Sequence, residues 1–266
     1  MIQQPTKRLW ATVDIMALTA IVWVAAAMLH EGVGHGLACS AMGGVPTTWS
    51  TFHFECGRRA ISVAGWRFVA GAGTMVNIGL TALGWVWWRR SINGGARLAG
   101  WIMFVVNGLT SFGYLIFSAA FGIGDWNGSG VMTGVSDTAL ARGILAVAGI
   151  AGYYAIVRAS ATMLSRMLDG PDMVAAARRL SVTIWITTGA VSLLAALMAG
   201  GDWRSTLAAS MGVALGGNAG MLSIARFMAP STTSRTLVMN KNWFLRGAAI
   251  IAVAGFTAIL GPGVHF

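Results

Sequence analysis

Long apolar runs separated by short polar stretches set the pattern of this chain. Runs near 15–37, 66–88, 98–121, 139–163, 180–200, 206–228 and 244–264 each approach the roughly 20 residues that a helix needs to cross hydrocarbon. They predict an all-α protein, a polytopic transmembrane helix bundle of seven spans, with six as the alternative count. The longest hydrophilic stretches, 39–65 and 229–243, are too short for independent domains. Residues 1–266 are therefore expected to form a single polytopic membrane domain. The first apolar run is too long for a cleaved signal peptide and lacks a clean small-residue cleavage site, so it is expected to stay as an anchor.

Composition agrees with the pattern: 56% of residues are hydrophobic and only 10% are charged, against about 25% in soluble domains. The net charge of +10 raises the question of nucleic acid, and the placement of the 18 basic residues answers it. Lys7, Arg8, Arg89, Arg90, Arg97, Arg158, Arg166, Arg178, Arg179, Arg226, Arg235, Lys241 and Arg246 fall on one side of the predicted bundle. Only Arg58, Arg59, Arg67, Arg142 and Arg204 fall on the other. That asymmetry is the positive-inside pattern, with the N-terminus cytoplasmic and the C-terminus outside. The charge thus reports orientation in a lipid bilayer, and no nucleic-acid partner is expected. The expected location is a bacterial inner (plasma) membrane.

The 36 glycines suit close helix packing. Cys39 and Cys56 lie near the outer end of the first span and in the first outer loop, where a disulfide is permitted and a pair of thiols is the alternative. Asp14, Asp169 and Asp172 fall on cytoplasmic edges, as solvated or capping residues. Glu55, Asp137 and Asp202 fall in outer loops. Glu31 alone lies within a span, and Asp125 lies where the third span ends. "GIGDW" (122–126) and "AGGDW" (199–203) share Gly-Asp-Trp, which makes Asp202 a rival to Asp125.

Ionisable residues inside a membrane are costly and usually functional, so "AAMLHEGVGHGLACS" (26–40) is the segment to explain. Two imidazoles and a carboxylate can hold zinc while leaving a position for water, and a glutamate beside the first histidine can act as general base. The difficulty is the spacing of His30 and His35. Residues five apart on a regular helix diverge by about 140° around the axis. A π-type turn would bring both onto one face, and Gly32 and Gly34 make such a distortion cheap. The regular alternative pairs Glu31 with His35 at i,i+4 and needs no metal.

Three motifs together resemble the site-2 type intramembrane metalloproteases. "HEGVGHGLACSAMGG" (30–44) is similar to the first motif of that family with one residue inserted. "AGAGTMVNIGLTAL" (70–83) resembles the second, without its proline. "GYLIFSAAFGIGDWNG" (113–128) resembles the third, without its asparagine-proline start. The five-residue spacing itself is similar to the zinc motif of the soluble dipeptidyl peptidase III family. The resemblance implies a metalloprotease-like core over about 15–128, followed by additional transmembrane helices over about 139–264. It also implies Zn2+ as cofactor, with His30, His35 and Asp125 as metal ligands, Glu31 as the catalytic base and Asn77 as a substrate-orienting group. Topology allows this, because His30 lies about 22 Å along the first span from Ile15 and Asp125 follows a span of the same direction. The site then faces the outer side.

His53 lies on that face as an extra ligand, a gate or an ordinary loop histidine. Tyr114 carries a hydroxyl suited to an oxyanion, against the plainer role of an interfacial tyrosine. The expected function is a zinc-dependent intramembrane metalloprotease acting on a membrane-protein or peptide substrate, with room for partner subunits. The alternatives are a non-proteolytic metal-binding membrane subunit or a cation/proton-relay transporter. Orientation is tested directly: a reporter fused after Phe266 is expected to be active outside the cytoplasm. Cytoplasmic activity there would mean six spans or a reversed chain.

Overall fold

The computed structural model describes residues 5–58, 60–135, 138–200, 203–229 and 241–266. Arg59, Asp137, Asp202 and Arg235 lie outside the described residues. The helices are α1 (Pro5–Met28), α2 (Leu37–Ala41), α3 (Val63–Arg90), α4 (Gly94–Phe121), α5 (Ala139–Ser165), α6 (Met173–Leu197), α7 (Trp203–Met211), α8 (Met221–Ile224) and α9 (Trp243–Leu260). A π segment, Leu29–Gly36, joins α1 to α2, and a second, Gly212–Gly217, lies between α7 and α8. Counting Ala11–Ala41 as one unit and Thr206–Phe227 as another, seven helical units among the described residues are long and apolar enough to cross a bilayer. The protein is an all-α polytopic membrane bundle in contact with lipid, and its spans fall close to the apolar runs of the sequence.

Helix ends follow local chemistry. Asn93 Oδ1 accepts from the N–H groups of Gly95 and Ala96 at 2.8 and 3.3 Å. The Ser62, Thr138 and Asn242 side chains accept similarly from Gly65, Ala141 and Leu245. Each satisfies an N–H that the helix leaves unpaired.

Helix α4 is the centre of the bundle, with Leu98, Trp101, Ile102, Val105 and Leu109 fully buried. It lies against α3 and α5. The α3 crossing is backbone-close: a Cβ at Gly84 would sit 2.6 Å from the Phe104 nitrogen, and one at Gly100 2.5 Å from the Trp88 nitrogen. Small residues permit such approach where lipid offers no hydrophobic driving force between helices. Buried indoles are also paired, Trp101 donating to the Ser160 carbonyl at 3.0 Å and Trp23 to the Ser192 hydroxyl at 2.9 Å.

A small sheet caps one end of this bundle, a feature that the apolar pattern did not signal. Strands β1 (Val45–Trp49), β2 (Phe54–Gly57) and β3 (Val264–His265) pair antiparallel in the order β2-β1-β3. Of the two alternatives for the cysteines, the disulfide holds: Cys39 and Cys56 are bonded, with Cα atoms 5.9 Å apart. It fastens β2 to the end of the first span, while β3 brings the end of α9 to the same face.

Asp14 departs from its expected place at a solvated edge. Its side chain is fully buried, and Arg246 of α9 donates to it through Nε at 2.6 Å. The Arg246 guanidinium also lies 4.9 Å from the Trp243 ring. Burial removes water as a partner, so the arginine replaces it and locks α1 to α9. Removing one member leaves the other charge buried, a loss of about 3–5 kcal/mol. Asp14→Leu is therefore expected to lower the melting temperature in detergent sharply, and the double variant Asp14→Leu/Arg246→Met to recover most of it.

Candidate metal centre

The residue inserted between the histidines is absorbed by the backbone. Across Leu29–Gly36 the chain is a π-helix, and the Leu37 N–H reaches the carbonyl of Gly32, five residues back, in place of the usual four. The wider turn sets His30 and His35 on one face. Their rings meet edge to face with centroids 4.9 Å apart, and their Nε2 atoms are 3.2 Å apart.

Asp125 comes from the loop that follows α4. That loop is docked on α3 by three contacts: Trp126 Nε1 donates to Thr74 Oγ1 at 2.9 Å, Trp66 Nε1 to the Ser129 carbonyl at 2.7 Å, and Arg67 Nε to the Thr133 carbonyl at 2.8 Å. The Asn127 side chain tightens it by accepting from the N–H groups of Ser129 and Gly130. Asp125 Oδ2 is thereby held 3.5 Å from His30 Nε2 and 3.4 Å from His35 Nε2. Burial works against the charged carboxylate, but the His30 and His35 rings facing it outweigh burial and hold the Asp125 carboxyl far below the usual carboxylate range.

These separations fit a metal ion. Ligands about 2.0–2.1 Å from a tetrahedral centre stand about 3.3–3.4 Å from one another, close to the 3.2, 3.4 and 3.5 Å observed. The tautomer of His35 fits as well. Its Nδ1 lies 2.8 Å from the Val69 carbonyl, which can only accept, so Nδ1 carries the proton and Nε2 keeps its lone pair for a ligand. Among the described residues, His30, His35 and Asp125 are the one group of this kind.

Space for the ion comes from Gly73 of α3. A Cβ there would lie 2.5 Å from His30 Nε2 and 2.6 Å from His35 Nε2, inside the volume the ligands enclose. The same bare stretch lets the π segment approach, since a Cβ at Gly34 would fall 2.6 Å from the Gly73 Cα. Sequence analysis assigned such glycines to packing. The spacing held a clue, because Gly73 precedes Asn77 by four residues and so shares its helix face.

Glu31 is buried in the π segment and borders two cavities. One is a cleft of about 580 Å³ with Glu31, His35 and Asp125 on its wall and His53, Glu55 and Arg58 farther along it. The other is a chamber of about 60 Å³ that also touches His30, Asn77 and Tyr114. His30, His35, Asp125, Glu31 and Asn77 are thus brought together. His53 lies outside this group, on the wall of the cleft: its side chain is 66% exposed and stands 3.6 Å from Glu55 Oε1. The rival Asp202 lies outside the described residues. Tyr114, its ring centroid 6.4 Å from that of His30, belongs to the site more closely than its place in a predicted span suggested.

The fold and site define an integral membrane protein with a buried His-His-Asp cluster able to hold a metal ion. Comparison with known proteins adds no relative: the chain matches no protein-family model, no curated protein and no solved structure.

Gly73→Ala is expected to abolish stoichiometric metal binding although every ligand remains, as judged by metal analysis after purification in mild detergent. Gly79→Ala, on the same helix with open space around it, is the control and should bind as wild type does.

Proposed function

We propose that the protein is a zinc-dependent intramembrane hydrolase of the site-2 protease type, cutting a peptide bond in or beside a transmembrane segment. The observation that carries this is the set of three ligand atoms at tetrahedral separations, with Glu31 beside them on the wall of a cleft of about 580 Å³. A structural metal is usually closed by four protein ligands, whereas a catalytic one keeps a position for water, and the group among the described residues has three.

His30, His35 and Asp125 would hold the zinc ion, which when bound would supply Lewis acidity and a water of lowered pKa. Glu31 accepts the proton of the attacking water and delivers it to the departing amine nitrogen. The Val69 carbonyl fixes the His35 ring, and the docked 122–135 loop keeps the Asp125 carboxylate facing both imidazoles. Orientation follows the positive-inside pattern: the site lies toward the outer side of a bacterial plasma membrane. Substrates are membrane proteins or their peptides, which reach the ligands through the cleft beside β2.

Glu31→Gln removes a base and no ligand. It is expected to retain metal while hydrolysis of membrane-spanning peptide reporters falls by about 10²–10⁴-fold. His30→Ala is expected to lose metal and activity together. Unchanged hydrolysis in Glu31→Gln, or a metal-replete wild type that cuts no reporter, would transfer the protein to the metal-binding, non-proteolytic class.

A further inference from the structure

The small chamber behind Glu31 holds a polar group with no partner. Asn77 is 3% exposed, and its Oδ1 is buried without a hydrogen bond. Tyr114 lines the same chamber. Leaving the Asn77 oxygen unpaired in a membrane interior costs about 1–3 kcal/mol, so it needs a donor in the chamber, a water or a peptide N–H. The volume of about 60 Å³ has room for a peptide group or for roughly four waters, at about 10–15 Å³ each.

Tyr114 stands between this chamber and the wide cleft, since it lines both, as Glu31 does. Its ring is held from two sides. The Phe117 ring lies 6.4 Å away, centroid to centroid, and Gly124, next to Asp125, packs so near that a Cβ there would meet the Tyr114 ring at 2.9 Å. Gly124 has φ +85°, a conformation that glycine adopts without strain. The loop that supplies a ligand therefore also fixes the tyrosine.

We propose that the chamber receives the carbonyl oxygen of the scissile peptide and that the Tyr114 hydroxyl is its hydrogen-bond donor, with the Asn77 amide beside it. This rests on the hydrolase function proposed above and assigns a catalytic residue to it. As the water oxygen bonds to the carbonyl carbon, one water proton passes to Glu31 and the carbonyl π electrons move onto oxygen. Tyr114 donates a hydrogen bond to that oxygen and keeps its proton. When the carbonyl re-forms, the C–N bond breaks and the proton on Glu31 goes to the amine. A donor fixed before the charge develops favours the transition state over the substrate.

The test uses the full-length protein in detergent, loaded with cobalt(II), and N-phosphoryl-leucyl-alanine, whose tetrahedral phosphoryl oxygens imitate the charged intermediate. Tyr114→Phe is expected to bind cobalt with an unchanged visible spectrum, which reports an intact ligand set, while affinity for the phosphoryl compound falls at least about tenfold. In reporter hydrolysis with zinc, kcat is expected to fall by about 10²-fold with little change in KM. Equal affinity in wild type and Tyr114→Phe, or no binding of the compound to cobalt-loaded wild type, overturns the proposal. Failure of the wild type to bind cobalt overturns the metal-dependent function itself.

Discussion

Everything at the candidate centre depends on one backbone constraint: two histidines five residues apart must point the same way. A regular helix separates them by about 140°. The π segment Leu29–Gly36 removes that divergence, at the cost of weaker local hydrogen bonding that a helix tolerates only where its surroundings compensate. The compensation here is tertiary. Gly34 and Gly73 bring two backbones into contact, and the Val69 carbonyl accepts a hydrogen bond from His35 Nδ1. The same α3 surface thus stabilises the widened turn, orients one imidazole and leaves the space that an ion needs.

The third ligand is tied to that surface by a different route. The 122–135 loop carries Asp125 and has little regular structure, yet indole and guanidinium donors from α3 and the loop pin it to the neighbouring helix. On the other side, the Cys39–Cys56 disulfide and the pairing of β1 with β3 hold the hairpin over the end of the first span. The cleft is therefore bounded by elements that are each crosslinked to the helices beneath them. Ligand geometry set to a few tenths of an ångström requires such support.

The buried charges divide by role. Asp14 and Arg246 pair with one another and join α1 to α9, a structural use of intramembrane charge. Glu31 and Asp125 instead face imidazoles and cavities. Their different surroundings matter more than their shared chemistry, because a paired and fully buried carboxylate such as Asp14 has no access to water or substrate.

Hydropathy alone determined the spans, since 20 apolar residues have few alternatives to a membrane helix. It also exposed His30, Glu31 and His35, because charge within an apolar run is conspicuous, and the five-residue spacing with its glycines pointed to a π-type turn. Asp125 stood out at the end of the third span, with Asp202 as a rival in the second Gly-Asp-Trp, and its role as a ligand came from the resemblance of its surroundings. Other features were not legible along the chain. Gly73 looked like any packing glycine, Asp14 like an edge residue, and Tyr114 like an interfacial tyrosine. What each does depends on which atoms of distant segments come within about 3 Å of it, and that is a property of how helices cross and loops dock. The sequence marked which groups are costly in a membrane; only the tertiary structure decided whether each cost is met by an ion pair, by a carbonyl, or by a space shaped for a ligand.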